Sequence, residues 1–339
     1  MKKANAAAGD HAARGFTILL AALALAALLR ATIGPVATDG GTTLTLALPR
    51  AEVLSLRLSA IASAALLGAA LGLSGLALQI LLRNPLASPF VLGVSSGAGF
   101  GVSLVLAAAY ATGLPALAFG GEFGGAVAGA LLTLALVAWL GRARGGGSDP
   151  TTLVLAGVIT GSIFSAGSML VEQLVPFGLR GDLLSWMAGR IPELPSRASL
   201  AALAVLVASG AALLATRARA LDVSMLSDEE ALTSGVHLRR LRAELFITGG
   251  VLAAAAVAYA GPIGFVGLVG PHIARRLVGE HHVRLVPASA IAGAALLLGA
   301  DAARQCIDLG TGRLPVGVVT ALVGGPAFLW ILRRHAWTR

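Results

Sequence analysis

The residues that could do chemistry in this chain are few, and the densest group lies in one polar stretch between long apolar segments. Three consecutive acids, Asp228, Glu229 and Glu230, are preceded by Ser227 and followed by Gly235. Serine is a good N-cap, acids in the first turn favour the positive end of the helix dipole, and glycine commonly follows a helix end. The pattern predicts a short helix, which is either one of two or three short helices presented at the membrane face or part of an ordinary charged loop between two spans.

ATP binding is not expected of this chain. No GxxxxGK[ST] phosphate-binding loop occurs in the sequence. The stretch at 141–152 is rich in glycine but lacks the lysine that such a loop needs. It is interpreted as a flexible loop on the inner side of a membrane.

The histidines are weak candidates for metal ligands. His281 and His282 adjoin Glu280, but adjacent residues on a helix point in different directions, and a solvated loop is the preferred interpretation. His272 follows Pro271 and is interpreted as a capping or packing residue. The sequence therefore predicts no metal site, and no cofactor is expected in this chain.

Three acids lie in or beside apolar segments and could carry protons in an ion-coupled transporter: Glu122, Glu172 and Asp301. All three fall near the ends of predicted membrane spans, where partial hydration makes a charge tolerable. Asp301 also lies three residues before Arg304, so the two side chains are neighbours on one helical face. Structural pairing is the preferred interpretation, and proton coupling is the alternative.

The amino-acid composition indicates which kind of secondary structure positions these residues. The 339 residues are 57% hydrophobic and 12% charged, and the mean hydropathy is +0.86. A soluble chain of this length could not cover its surface with so few charges, so we expect an all-α polytopic membrane protein. The single cysteine, Cys306, excludes a disulfide framework within the chain. The net charge of +9 is distributed over alternate loops, which indicates membrane topology and no nucleic-acid partner.

Ten apolar stretches are interpreted as membrane spans, several of them about 20 residues long, the length that crosses a bilayer. They lie at 16–29, 58–82, 90–110, 115–140, 151–175, 198–216, 243–261, 263–279, 285–303 and 315–333. The spans form one transmembrane domain, 15–334, between short tails at 1–14 and 335–339.

The orientation follows from the basic residues. Of the 25 Lys and Arg, 17 fall on the same side as the N-terminus and eight fall on the other side. Because basic residues are enriched in cytoplasmic loops, both termini and the loop at 217–242 are predicted to be cytoplasmic. The apolar start resembles a signal peptide, but no convincing small-residue cleavage site follows it.

Glycines recur at a spacing that favours close helix packing. Each GxxxG pair places two hydrogen atoms on one helical face in place of side chains. The pattern indicates a compact bundle and identifies no ligand. The positions are Gly68 and Gly72; Gly93, Gly97 and Gly101; Gly121, Gly125 and Gly129; and Gly157 and Gly161.

Three stretches interrupt the apolar pattern with proline and glycine, at 83–99, 175–195 and 260–282. The first contains Asn-Pro and Ser-Pro pairs that end one helix and begin the next. The second is long enough for a short helix along the membrane surface, with Trp186 as an interfacial anchor. Irregular backbone at membrane depth requires protein or a water-filled cavity around it, so each break indicates either a transport pathway or a buried helix corner.

Five motifs in this order and spacing resemble the permease subunits of type II ATP-binding-cassette (ABC) importers, the FecCD family. They lie at 54–99, 221–236, 261–279, 286–304 and 314–334 and include RNPLASPFVLGVSSGAG and GPIGFVGLVGPHIARRLVG. The resemblance covers nearly the whole chain. It implies a ten-helix protomer in a bacterial cytoplasmic (inner) membrane, importing a ferric siderophore, haem or cobalamin, with an iron chelate as the preferred cargo.

The resemblance also implies partners. They are a second copy of the permease, two ABC ATPase subunits, the surrounding lipid, and a periplasmic or lipid-anchored solute-binding protein. The segment at 221–236 resembles the cytoplasmic coupling helices that dock into the ATPase. The implied coupling residues are Leu226, Ser227, Asp228, Glu229, Glu230, Ala231 and Gly235. A Leu-Gly-Glu-Glu run is common there in the family, and this chain departs from it at Ser227 and Asp228.

Two arginines match family positions that dock the solute-binding protein, Arg57 and Arg304. The family begins its second span with Arg-Leu-Pro-Arg, and here Ala60 stands at the second arginine. Losing one rim ion pair costs about 0.2–1 kcal/mol. Compensation by Arg50, Arg180 or Arg190 is an open alternative.

Polar residues on apolar helices are the candidates for the translocation pathway: Ser74, Gln79, Ser95, Ser96, Thr160 and Ser162. The function expected is ATP-driven import with no covalent chemistry in this chain. An ion-coupled secondary transporter is the main alternative, since it also uses broken helices and midplane sites. A non-transporting membrane scaffold is the third.

Overall fold

The structure, a computed structural model, describes residues 2–38, 41–46, 51–141, 150–192, 194–307 and 314–336. Most of the glycine-rich loop predicted at 141–152 lies outside the described residues. So do Arg50 and the end of the predicted C-terminal tail.

Thirteen α-helices and one β-hairpin account for most of the described residues. The helices are α1 (Lys2–Thr32), α2 (Ala51–Leu81), α3 (Val94–Thr112), α4 (Pro115–Leu140), α5 (Pro150–Leu174), α6 (Phe177–Met187), α7 (Arg197–Thr216), α8 (Ala218–Ser224), α9 (Asp228–Thr233), α10 (Leu238–Ala260), α11 (Val266–Val278), α12 (His282–Gln305) and α13 (Val316–Ala336). Eight of them are long and apolar enough to cross a membrane. The predicted polytopic helical class is therefore confirmed.

The ten predicted spans fall on ten of these helices, so the count of ten is approximately right. The two that fall short of the length and hydropathy of a full span are α11, with 13 residues, and α13, whose apolar part is Val316–Leu329. Helix α11 is short because glycines and prolines border it. Helix α6 occupies the stretch in which a short surface helix was predicted.

The N-terminal tail is not separate from the first span. Helix α1 begins at Lys2 and continues without a break to Thr32. The stretch that was predicted as a polar tail is rich in alanine, which has the highest helix propensity, so the helix continues through it.

A two-stranded antiparallel hairpin follows α1, in a segment expected to be a loop. Strand β1 (Ile33–Thr38) pairs with β2 (Gly41–Leu46), from Ile33 opposite Leu46 to Thr38 opposite Gly41. In the sequence, Asp39 and Gly40 separate the two strands, and an Asp-Gly pair is typical of two-residue hairpin connections. That signal was available in the sequence.

The chain divides into two compact units. The first contains residues 1–73, 191–218 and 263–339, and the second contains 74–190 and 219–262. In the first unit α2 and α12 pack backbone against backbone. A Cβ added at Gly68 would collide with the carbonyl oxygen of Gly293, and one at Gly72 with that of Ser289. These glycines are required by the close approach of the two helices.

In the second unit the same kind of packing joins α3 to α4. A Cβ at Gly101 would strike the carbonyl oxygen of Gly125, and one at Gly129 that of Gly97. The 3₁₀ helix Pro89–Leu92 precedes α3, and Gly93 turns the chain between them with φ +71°. This turn is the observed form of the first predicted break.

Candidate functional site

The polar stretch forms a short, well-capped helix, as its residue types predicted. Ser227 is the N-cap of α9, and its hydroxyl accepts a hydrogen bond from the backbone N–H of Glu230. The Glu230 carboxylate in return accepts from the Ser227 backbone N–H at 3.0 Å and from its hydroxyl at 2.8 Å. This reciprocal capping box satisfies donors that a six-residue helix would otherwise leave open. Gly235 follows the helix with φ +81°.

Asp228 ties α9 to two other segments. Its carboxylate lies 2.6 Å from Nη2 of Arg83, which follows α2, and accepts two hydrogen bonds from Nη2 of Arg242, in the first turns of α10, at 3.0 and 2.9 Å. Arg83 also donates to the carbonyl oxygen of Ser224, at the end of α8, at 2.9 Å. Three segments of the second unit therefore meet at the Asp228 carboxylate, namely the turn after α2, α9 and α10, and Arg83 holds the end of α8 beside them.

The electrostatics of the α9 segment agree with this geometry. The hydrogen bond from Arg242, aided by Arg83, holds the pKa of Asp228 below its ordinary value. The bonds from Ser227 likewise lower the pKa of Glu230. Both carboxylates are therefore ionised at neutral pH, and both are engaged within the chain.

The surface of α9 that is left for a partner is partly apolar. Leu226 and Leu232 are 50% and 59% exposed, and the Glu229 side chain beside them is also exposed. Ala231 is fully buried on the opposite side of the helix. Of the predicted coupling residues, Leu226 and Glu229 are on this surface, whereas Ser227, Asp228 and Glu230 hold the helix in place.

The two predicted docking arginines lie at one end of the first unit, and both are buried. Arg57 is 9% exposed, and its Nη1 donates to the carbonyl oxygen of Ala31 at 2.7 Å. Arg304 is 6% exposed and forms a short hydrogen bond with Asp301, its predicted helical neighbour. Asp301 is fully buried and also accepts from Nε of Arg30 at 2.5 Å. The pairing predicted for Asp301 is confirmed, and a second arginine joins it.

The arginines considered as substitutes for Ala60 are placed differently. Arg190 is exposed and lies 3.3 Å from the carboxylate of Glu122. Arg180 donates to the carbonyl oxygen of Val175 at 3.3 Å. Ala60 itself is buried. The paired acids Glu122 and Asp301 give no support to the proton-carrying alternative.

The predicted pathway residues separate into two groups. Ser96 and Ser162 line a groove of about 530 Å³ on the surface formed by α3 and α5, where the Ser165 hydroxyl donates to that of Ser96 at 3.0 Å. The other four do not line this groove. Ser74 is buried and donates to the carbonyl oxygen of Gly249, Thr160 bonds back to Ala156, Gln79 is buried, and Ser95 is half-buried.

Comparison with known proteins assigns the chain to a family. Residues 14–334 match the FecCD transport family. The chain is 35% identical to the hemin transport system permease protein HmuU of Yersinia pestis over 83% of both chains. It is 35% identical to the Fe(3+) dicitrate transport system permease protein FecC of Escherichia coli over 85% of both chains. The chain belongs to the FecCD transport family.

A solved structure extends the likeness to the fold of this FecCD-family chain. A metal-chelate type ABC transporter in an inward-facing conformation superposes with a TM-score of 0.80 at 28% identity. The match covers 95% of this chain and 99% of the other. Over the matched residues the chain therefore has the fold of that transporter.

Sequence reasoning missed the partners of the charged residues. Arg83 and Arg242 were counted only as inner-side charges, and Arg30 only as an outer-side one. The one sequence signal for these ion pairs was that all three arginines lie near predicted helix ends, where charged side chains from different helices come within reach of one another. Within the described residues no group of His, Cys, Asp and Glu is placed to hold a metal ion.

Proposed function

We propose that this chain is the membrane permease subunit of an ATP-driven importer and that it carries an iron chelate into the cell. It works as a homodimer with two ABC ATPase subunits on the inner side and a solute-binding protein on the outer side. Membership of the FecCD transport family supports the importer role. The ATPase subunits hydrolyse ATP, and this chain performs no covalent chemistry.

The observation that carries the proposal is the construction of α9. A six-residue helix is too short to be stable alone, yet this one has a capping box and an anchored Asp228. Its exposed residues include Leu232 and Glu229, and its anchors are on α10 and on the turn after α2. A force applied to the exposed face is therefore transmitted to two membrane helices.

The cargo is proposed as an iron chelate, because two relatives carry iron compounds by name. One is a hemin permease and the other an Fe(3+) dicitrate permease. The groove lined by Ser96 and Ser162 is our candidate for part of the pathway. Its hydroxyls offer hydrogen bonds without a fixed charge, which suits a large polar cargo that must also be released.

The deciding experiment is transport in proteoliposomes. Permease, ATPase and solute-binding protein are reconstituted together, and uptake of a radiolabelled ferric siderophore, haem or cobalamin is measured. We expect ATP-dependent uptake of an iron chelate. Uptake that needs no ATPase and follows an imposed proton gradient would refute the proposal in favour of an ion-coupled transporter. Uptake of cobalamin alone would refute the cargo and leave the mechanism standing.

A variant pair tests the coupling helix. Leu232→Arg places a charge on the exposed face of α9 and is expected to reduce ATPase copurification and uptake at least tenfold, equivalent to about 1.4 kcal/mol. Leu194→Arg is the matched control, because Leu194 is 79% exposed in the loop before α7. Equal losses in both variants, or no loss in Leu232→Arg, would remove the coupling role. Ala231 is unsuitable for this test, since a large side chain there would disrupt the packing of α9 itself.

A further inference from the structure

One buried carboxylate at the end of α12 is shared by two buried arginines. Asp301 is fully buried, and Arg30 and Arg304 are 4% and 6% exposed. Arg30, near the end of α1, donates to one carboxylate oxygen and Arg304 to the other. The cluster carries one negative and two positive charges, so it holds an excess positive charge at low exposure. Such an excess favours an additional anionic group.

Two donors beside this cluster lack acceptors. Within the described residues, Nη2 of Arg304 and Nε2 of the neighbouring Gln305 are buried and have no hydrogen-bond partner. Gln305 is 5% exposed. Buried donors are almost always satisfied, and an unsatisfied pair is costly. A buried arginine N–H without an acceptor is suited to an oxygen of a carboxylate.

We propose that Arg30 is a positioning residue that neutralises Asp301 so that Arg304 can turn to a carboxylate of the docked solute-binding protein. The inference rests on the proposed function, with its solute-binding protein on the outer side, and on the docking role that the family resemblance implies for Arg304. It adds the reason why a docking arginine can be buried before its partner arrives.

The physical reason is the cost of leaving Asp301 alone. If Arg304 were its sole partner, release of Arg304 would leave an ionised carboxylate fully buried and unpaired, which is strongly unfavourable. With Arg30 bound to the second oxygen, Asp301 stays paired when Arg304 leaves. Arg304 thus exchanges one carboxylate for another, and the net loss of charge pairing is small.

A set of single and double variants tests the positioning role of Arg30, with the affinity for the solute-binding protein as the measured quantity. Wild-type and variant permease–ATPase complexes are placed in nanodiscs, and the dissociation constant of the solute-binding protein from the same transport system is measured. Arg30→Met should weaken binding at least tenfold, because Asp301 then retains Arg304. Arg30→Met combined with Asp301→Asn should bind within about threefold of wild type, because nothing then retains Arg304. Arg30→Lys keeps the charge and should bind nearly as wild type does.

Asp301→Asn would also relieve a merely structural loss caused by removing Arg30, so the folding stability of each variant is measured as well. A positioning role predicts weaker binding by an Arg30→Met protein that is as stable as wild type. The double variant has the net charge of wild type, so it also serves if Arg30→Met alone fails to fold. A double variant that binds tenfold or more weakly than wild type would overturn the inference.

Arg304→Gln distinguishes failure of the positioning role of Arg30 from failure of the docking role of Arg304. If it weakens docking and the double variant does not recover, the inference fails and the docking role survives. If Arg304→Gln leaves docking unchanged, the docking role fails and the inference falls with it.

Discussion

At the scale of single residues, the α9 segment depends most on Asp228. Its side chain is 47% exposed, so each of its ion pairs is screened by water and contributes about 0.2–1 kcal/mol. The value of the residue lies in what it connects: Arg83 after α2 and Arg242 on α10. A weak bond at a junction fixes the position of a short helix even when it adds little to global stability.

The depressed pKa of Asp228 predicts how this junction responds to pH. Because the folded pKa lies below the unfolded one, the stabilisation is fully present above the unfolded pKa and is lost as pH falls through the folded value. We expect a spin label on Ser234→Cys, in a Cys306→Ser background, to keep constant mobility from pH 7 to about pH 5 and to gain mobility at lower pH.

Asp228→Asn is the control for this titration. The amide cannot ionise, so the label should be mobile at neutral pH and the mobility change attributed to Asp228 should disappear. A label that responds identically in both proteins would show that another group controls α9.

At the scale of elements, the contact between α2 and α12 depends on the absence of side chains. A Cβ at Gly293 would collide with the carbonyl oxygen of Gly68 and lie 3.1 Å from the Cα of Gly72. Neither backbone can move without displacing a whole helix. The GxxxG spacing of Gly68 and Gly72 was visible in the sequence, whereas the partner Gly293 was not.

Gly293→Ala is therefore expected to destabilise the protein by about 1–3 kcal/mol through overpacking. The matched control is Gly299→Ala on the same helix, where an added Cβ meets nothing within 4 Å. The control should be neutral or stabilising by up to about 1 kcal/mol, since alanine is the better helix former. Unfolding by denaturing detergent in mixed micelles measures both. A control as unstable as Gly293→Ala would mean that the space at position 293 is not the cause.

At the scale of the whole molecule, the distribution of Lys and Arg predicts which side of the membrane each end of the helices faces. The native Cys306 is exposed at the end of α12, and Ser234 is exposed after α9. We expect a membrane-impermeant maleimide to label Cys306 from outside intact spheroplasts. Ser234→Cys in a Cys306→Ser background should react only after permeabilisation. The reverse pattern would invert the topology and place α9 where no ATPase could reach it.

The sequence by itself determined the membrane class, the approximate positions of ten spans, and the cap and end of α9. Composition alone excludes a soluble fold, because too few charges are available to cover a surface. The cap of α9 depends on neighbours three residues apart, so Ser227 and Glu230 suffice to specify it. Structural features that depend on residues close together in the sequence can therefore be predicted from the sequence.

The tertiary structure alone decided which charges far apart in the chain meet. Arg30 and Asp301 are 271 residues apart, and Arg83 reaches Asp228 across several intervening helices. It also showed that Ala231 is buried, that Thr160 bonds to its own helix, and that Arg304 is buried against Asp301. An arginine at a helix end has the same local sequence whether it faces water or a buried carboxylate. Its partner is set by the packing of helices far apart in the chain, which local patterns do not encode.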